Sequence, residues 1–553
     1  MVVTAVLPEL CNFLPRQRRS VTRSNHLRNV SGELLWERIS VQQRPVTSSL
    51  RSTQTARALL VALLCAAPAL VCFYGSASAC VADPDLGWHL RAGEWILQHR
   101  AFPHVDDFSR FGAGRPWQAY SWLFELLLLK LYGWFHLDGV MIYMAAMLTA
   151  ITAAVYRMVS RLQPDFTKCA VITTAVMTGI SRLYTPRPWL FTILFFVLEI
   201  DILMQARRTG RRRLLLWLPP LFALWANIHI QFINGLLVLG VAALEPLLAR
   251  WWKTPENRLT ARSLWITLTA SITATCLNPY GLGIYKIAHD LAAQSGVLNT
   301  VSEMRALPFR SISDFVLLFL ALAAAGVLFR FHRFYPFETL MLVMAAVLSF
   351  RSQRDMWFMA VTAAVILAEA LPAAPGRERD YRQPLWASLI ILSATGLFVF
   401  ASALLLRINN ARLEESLAAE MPVQAVKVVQ ERQYAGAVYN TYGWGGFLIW
   451  NLRQPVSIDG RAAFYGDEQI DRSIATWNGG PDWSSDPDLR SAGIVIAPVK
   501  TALAQLLRLD SRFTLAYQDK VAAVFIARGT PNKAPGDVAA LSRHASSQPE
   551  KKL

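Results

Sequence analysis

Acidic side chains are scarce in this sequence. Its 553 residues hold 38 Asp and Glu against 55 Lys and Arg, and charged residues of both signs make up only 17% of the chain. At 54% hydrophobic residues and a mean hydropathy of +0.31, the chain is too apolar for an ordinary soluble enzyme. The six cysteines show no CxxC pair and no metal-finger spacing, so no disulfide framework is implied. Four of them, Cys65, Cys72, Cys169 and Cys276, lie in or at apolar runs, where a thiol behaves as a small hydrophobe. No repeat of solenoid type is visible. A cleavable signal peptide is not expected either, because 56 basic and polar residues precede the first apolar run. That run reads as an anchor, and the tail before it (residues 1–56) as a disordered cytoplasmic segment.

What is present is a series of apolar runs of about 16–23 residues between Arg57 and Leu406, long enough to cross a hydrocarbon core of roughly 30 Å. The net charge of +17 would suit nucleic acid if it gathered on one surface. It sits instead in the tail and in short loops such as "QARRTGRRR" and "RWWKTPENRLTAR", as the positive-inside bias produces. The expected partner of this charge is the anionic inner leaflet, not nucleic acid. Spans are predicted near 57–79, 138–156, 169–184, 188–204, 214–229, 232–249, 263–278, 313–330, 334–350, 356–371 and 385–405. The stretch "SWLFELLLLKLYGWF" at 121–135 carries Glu125 and Lys130 and has tryptophans at both ends, so it is laid in the interface. Eleven spans then keep the arginine loops inside, with the loop 80–137 and the C-terminal region outside.

On this threading, polar side chains collect at the outer ends of spans: Asp83, Asp85 and His89; Arg187 in "YTPRPWLF"; Asn227, His229 and Gln231 in "WANIHIQF"; Asn278 and Tyr280 in "LNPYG"; Arg351 and Arg354 in "SFRSQRD". Ionisable groups at a bilayer are costly unless they pair or line a wet cavity, which makes the gathering a site hypothesis. Carboxylates can take a proton or hold a hard cation, and arginines can grip a phosphate. Each member also has a plainer reading. Asp83, followed by Pro84, suits a helix cap, which leaves Asp85 and His89, one turn apart, unexplained. Trp88 and Trp95 suit a helix lying on the membrane surface. Arg187 can snorkel to the headgroups, His229 can be a satisfied helix-end histidine, and "NPYG" can simply end a span. Arg351 and Arg354 can close their loop on Asp355. Asp106 and Asp107 suit a loop or cap, with metal binding as the alternative.

Several stretches, "DPDLGWHLRAGEWI", "GRPWQAYSWLFELLL", "RPWLF", "LWANIHIQFINGLL", "LNPYG" and "YNTYGWGGFLIWNLRQPVSIDGR", carry a resemblance. They look like a group of bacterial membrane proteins of the GT-C superfamily of polytopic glycosyltransferases, over Arg57 to about Arg528. The resemblance implies a first-loop carboxylate acting as catalytic base or metal ligand, here Asp83 or Asp85, and a sugar donor on polyprenyl phosphate or diphosphate. It implies a possible divalent cation, Mg or Mn, held by Asp83 and Asp85, with Asp290 and Glu303 as the candidates for a second acidic position. Gly87 departs from the group, which has a tryptophan there. His89 is expected to orient the catalytic carboxylate, and Arg187, Arg351 or Arg354 to meet the carrier phosphate.

The fold class expected is therefore a polytopic α-helical membrane domain (57–406) followed by an extracytoplasmic α/β domain (407–530) and a polar tail (531–553). Short β-rich runs at "GAVYNTYGWGGFLIWNL", "PVSIDGR", "GIVIAPV", "FTLAYQD" and "AAVFIAR", interleaved with helices near 416–432 and 501–509, support the α/β reading. Trp444 and Trp450 are expected in a hairpin core or stacked on a sugar face. The expected function is sugar transfer from a polyprenyl-linked donor to a glycan, lipid or protein acceptor at the outer face of a bacterial inner membrane. The alternative is a non-catalytic transporter or lipid-handling protein, which midspan charges would favour.

Overall fold

The computed structural model describes residues 46–112, 114–248, 258–293, 301–330, 336–372 and 385–529. Expectations for the two tails and for the linker around 373–384 fall largely outside these residues. The chain divides into two units, Met1–Ser52 and Thr53–Leu553. Of the first, only the start of a helix is described. The second holds the membrane helices and the C-terminal sheet.

Helices occupy the predicted spans with shifts of a few residues at their ends. Five are long and apolar enough to cross a bilayer: Thr53–Gly75, Leu137–Leu162, Trp189–Thr209, Ile312–Arg330 and Leu385–Leu405. The protein is a multi-pass membrane protein. Similar hydropathy hides opposite fates. Met356–Ala370 buries thirteen of its fifteen residues at the middle of the bundle, whereas Leu385–Leu405 buries only Ala387 and Thr395. A helix that is apolar all round can serve either place, and only the packing partners decide. The expected span 214–229 is different. It opens with a 3-10 segment, Arg212–Trp217, and continues as a nine-residue helix, Leu218–Ala226. Pro219 and Pro220 lack amide hydrogens and suit a first turn, so a fresh helix starts there. At about 14 Å it is too short to cross alone.

Ion pairs hold one end of the bundle. Arg207 is buried, donating to Glu245 at 2.5 Å and Glu338 at 2.7 Å, so it ties three helices together. Arg161 reaches Asp201 at 2.5 Å. The other end carries the loop after the first helix and the C-terminal region.

That region holds a four-stranded sheet in the order β1-β2-β4-β3, with β1 Val438–Asn440, β2 Ile494–Pro498, β3 Phe513–Gln518 and β4 Ala522–Ala527. β1 and β2 run parallel, and the other pairs are antiparallel. Helices Val423–Glu431, Asp467–Trp477 and Ala502–Leu509 accompany the sheet. Two expectations are corrected. The expected hairpin around Trp444 and Trp450 is the helix Gly445–Leu452, and "PVSIDGR" forms no ladder strand beyond a bridge between Ser109 and Val456. Gly445 and Gly446 are present because backbone from elsewhere presses on them.

This pressure seats the first loop. A Cβ on Gly87 would collide with the Gly446 carbonyl, and one on Gly446 with the Pro84 carbonyl. The helix Leu86–His99 therefore lies backbone-to-backbone against Gly445–Leu452. Trp88 is not a membrane-surface anchor, as its spacing suggested. It is buried in a core shared with Trp117, Trp444 and Leu448.

Candidate active site

Asp83 and Asp85 lie in the turn between the first span and the helix Leu86–His99. Asp83 closes the turn by accepting the Asp85 amide at 2.9 Å. The N-cap position falls on Asp85, not Asp83, and Asp85 makes no capping bond with it. Its carboxylate turns instead to Arg187. This arginine stands in the two-proline turn just before Trp189–Thr209, and its Nε is 2.8 and 2.9 Å from the two Asp83 oxygens. Its Nη1 donates to Asp85 Oδ2 and lies 3.5 Å from Glu303 Oε1. Tyr143 fixes the backbone here by donating to the Arg187 carbonyl at 2.9 Å. Both aspartates and the arginine are buried, at 6, 6 and 9% exposure. Burial raises the Asp83 carboxyl above its ordinary value, while Arg187 pulls it back. Burial also works against the charge on Arg187, but Asp83 and Glu303 outweigh it and raise its pKa.

A second arginine has a different set of partners. Arg354, half-buried in the turn before Met356–Ala370, meets His229 Nε2 at 3.1 Å, the Met304 sulfur and the Tyr120 hydroxyl. None of these is a carboxylate, and its Nε is buried without a hydrogen-bond partner. A guanidinium only donates, so His229 must present a lone pair at Nε2 and carry its proton on Nδ1. That proton goes to Thr192 Oγ1 at 2.8 Å, an oxygen that also accepts the Trp225 indole at 2.9 Å. The Trp189 ring serves both arginines, with Arg187 5.1 Å and Arg354 5.6 Å from its centroid.

His89 does not serve Asp85. No hydrogen bond joins the two side chains, and His89 Nδ1 lies 3.4 Å from Glu125 Oε1, with the imidazole 3.6 Å from the Trp88 ring. One turn of helix aligns their Cα atoms, but the helix Trp122–Phe135 packs on that flank and brings its own acid. Burial pushes Glu125 up to about 8 and holds His89 well below its usual value. At neutral pH the pair is therefore mostly an uncharged acid beside an uncharged imidazole.

The remaining candidates divide. Glu303 joins the site, whereas Asp290 is exposed beside His289. Gln231 donates to Asp355 at 2.7 Å, and Arg354 and Arg351 act on that acid by charge, without a hydrogen bond among the described residues. Burial lifts Asp355 to about 6. Arg351 is exposed at a helix end. Asn227 is a strut between Trp122 and Leu277. Asn278 braces its own turn, and Tyr280 accepts the Ala119 amide at 3.0 Å, which pins the first loop. Asp106 holds Arg461 at 2.6 Å and Ser109, and Asp107 accepts the Trp95 indole.

The donor set does not fit a resident cation in this arrangement. Among the described residues, no three His, Cys, Asp or Glu side chains converge as ligands, and the Arg187 guanidinium fills the space between Asp83 and Asp85. Residues not singled out as site members complete the enclosure. Tyr442 donates to the Gly460 carbonyl at 2.8 Å. Gly460 itself lies so close to Asp85 that a Cβ would collide with Oδ1. Both belong to motifs, "YNTYGWGG" and "SIDGR", that composition alone reads as turns.

No family model matches the sequence, and no curated protein matches it by sequence. Solved structures do. The archaeal oligosaccharyltransferase AglB from Archaeoglobus fulgidus, in complex with an inhibitory peptide and a dolichol-phosphate, is 10% identical and aligns over 82% of this chain and 70% of its own, with a TM-score of 0.50. The apo form of an Archaeoglobus fulgidus oligosaccharyltransferase matches at 0.50, 10% identity, 81% and 69%. The chain shares its fold with these two structures. ArnT from Cupriavidus metallidurans, bound to undecaprenyl phosphate, is 13% identical over 86% of this chain and 98% of its own, with a TM-score of 0.47. At such identities the likeness concerns architecture, and the chemistry has to be argued from the side chains.

Proposed function

We propose that this protein is a membrane glycosyltransferase that moves a sugar from a polyprenyl-phosphate-linked donor to an acceptor on the outer face of a bacterial inner membrane. The observation that carries the reading is the unequal state of two neighbouring arginines. Arg187 is satisfied by Asp83, Asp85 and Glu303; Arg354 has no carboxylate among its partners. A half-buried guanidinium that hydrogen-bonds no carboxylate among the described residues, beside a neutral imidazole, suits an anion that arrives with a ligand. A shared fold with a protein solved with dolichol-phosphate supports a lipid-borne anion.

Asp85 is the base in this scheme. Asp83 has both oxygens on Arg187 and one also on an amide, whereas Asp85 has only Oδ2 engaged. Asp85 Oδ1 takes the proton from the acceptor hydroxyl as that oxygen bonds the anomeric carbon. The bond from that carbon to the phosphate oxygen breaks on the opposite side, so the anomeric centre inverts. Arg354 receives the charge left on the carrier phosphate, and Arg187 aims Asp85. No step requires a metal.

The test is glycan and lipid-linked-sugar analysis of cells carrying Asp85→Asn or Asp83→Asn. Loss of one glycoconjugate at normal protein abundance is expected, with a larger loss for Asp85→Asn. An unchanged glycan profile would falsify the transferase reading.

One observation favours the second reading, lipid or solute handling without chemistry. Glu199 lies in the middle of Trp189–Thr209, fully buried, with no hydrogen-bond partner on either oxygen. Altered lipid flux in Glu199→Gln, with glycans intact in Asp85→Asn, would favour it.

A further inference from the structure

A second cavity lies away from the arginine–aspartate site, where the first outer loop faces the ends of β1, β2 and β4. It encloses about 820 Å³, within the roughly 300–1,000 Å³ of pockets that bury drug-sized ligands. A single small ion would leave it mostly empty. Arg110 enters from the loop, Arg490 from the segment before β2, and Arg528 from the end of β4.

These three arginines outnumber the charged acids that line the cleft with them. Arg110 donates to the Ser491 carbonyl at 3.0 Å, which ties the loop to the far wall. Among the described residues, no ion pair involves Arg110, Arg490 or Arg528. Two acids also line the cleft: Asp106 is paired with a cation, whereas Asp107 is held by a neutral group only and keeps its charge. Asp106 holds Arg461 and Ser109, and Asp107 accepts the Trp95 indole at 2.9 Å. Asp488, near Arg110, is paired with Arg472. Three guanidinium groups facing one hollow repel one another and favour an anion between them.

The rest of the lining selects among anions. Apolar side chains are few, namely Ala437, Pro455 and Ala492, and no aromatic ring takes part. That disfavours an acyl chain, a stacked base, or a neutral sugar held by a ring face. The strands meet the cleft by their ends, not by an open edge, so a peptide cannot add as a strand. Glycine backbone at Gly436 and Gly529 also lines the cleft, without side chains to block a ligand. Residues 530–553, which follow Gly529 in sequence, carry Lys533, Arg543, Lys551 and Lys552 against Asp537 and Glu550. Their charge is the wrong sign for the cleft.

We infer that this cleft binds an acidic saccharide of a few rings, its carboxylate or phosphate groups held by Arg110, Arg490 and Arg528. The site stands whether or not Asp85 performs sugar transfer. Its floor is nevertheless coupled to that site: Asp106 holds Arg461, and the neighbouring Gly460 touches Asp85.

The test is direct binding to the full chain in nanodiscs of uncharged lipid. Trigalacturonate and a phosphorylated oligosaccharide represent the two anionic groups. Maltotriose, inorganic phosphate and an oligoglutamate peptide are the controls. The acidic saccharides are expected to bind, less tightly as salt rises, and Arg490→Ala with Arg528→Ala should weaken them at least tenfold (~1.4 kcal/mol). Arg354→Gln should leave this binding unchanged, which separates the cleft from the membrane-embedded site. Whichever of the two saccharides binds more tightly identifies the anionic group. Equal binding of maltotriose, tighter binding of oligoglutamate, or no effect of the double variant would each overturn the inference. So would saturation by inorganic phosphate at the same affinity, which marks an adventitious ion only. Binding that appears only after residues 530–553 are removed would overturn it too.

Discussion

Two residues at the site invite measurement because their charge states are set by neighbours, not by type. Arg354→Gln removes the guanidinium that has no carboxylate of its own. The affinity for polyprenyl phosphate, measured by native mass spectrometry or isotope-labelled lipid binding, is expected to fall tenfold or more. Arg354→Lys should recover part of it, because an ammonium supplies the charge without the planar fork. Glu125 offers a pH test. Its carboxyl titrates near 8 in the fold, against an ordinary value of 4.5, so the folded state holds a proton that the unfolded chain releases. The stability it confers is complete below about pH 4.5 and is lost as pH rises toward 8. Glu125→Gln should flatten that decline, and thermal unfolding between pH 5 and 8.5 reads it directly. Depression of His89 acts in the opposite sense, lowering stability as pH falls below 6.5. The acids of the site were legible in "DPDLGWH" as residues, but their partners were not. His89 faced Glu125 instead of Asp85 because another helix packs on that flank, and no spacing along one helix encodes its neighbour.

At the scale of elements, the contact between Leu86–His99 and Gly445–Leu452 organises the end of the bundle that carries Asp83 and Asp85. Two helices meet backbone to backbone there because Gly87 and Gly446 leave no side chain between them. A Gly87→Ala change inserts a methyl against a carbonyl that cannot retreat, and about 1–3 kcal/mol of stability should be lost, as overpacking costs elsewhere. A fall in melting temperature checks it, and Asp85-dependent transfer should fall with it because the same contact aims the aspartate. Gly87 had stood out only as a departure from the tryptophan of similar proteins. The contact gives it a reason: a large ring could not fit against Gly446. Helix positions were readable because apolar length is written in the sequence. Which helices lie at the centre, Met356–Ala370, and which at the rim, Leu385–Leu405, was not, since both are apolar on every face.

For the whole molecule, the loop after the first helix and the C-terminal region form one body rather than two. Trp88, Trp117, Trp444 and Leu448 share a core, and Arg461 crosses the boundary to Asp106 at 2.6 Å under the rings of Phe108 and Trp117. A chain ending at Leu406 should therefore insert its spans but lose order in the first loop. Protease cleavage between residues 80 and 120, slow in the intact protein, should become fast. Survival of a protected loop in the shortened chain would show the two parts to be independent.

Composition and the length of apolar runs were enough to establish a multi-pass protein, because a bilayer imposes a thickness that any spanning segment has to match. The loop charges were enough to forecast an orientation, and the short motifs to name most of the acids and bases at one end. Partnership was decided only by tertiary structure. Arg187 is neutralised and Arg354 is not, Glu125 claims His89, and Gly460 closes on Asp85. These outcomes depend on residues tens to hundreds of positions apart meeting in space, and chain order does not record such distances.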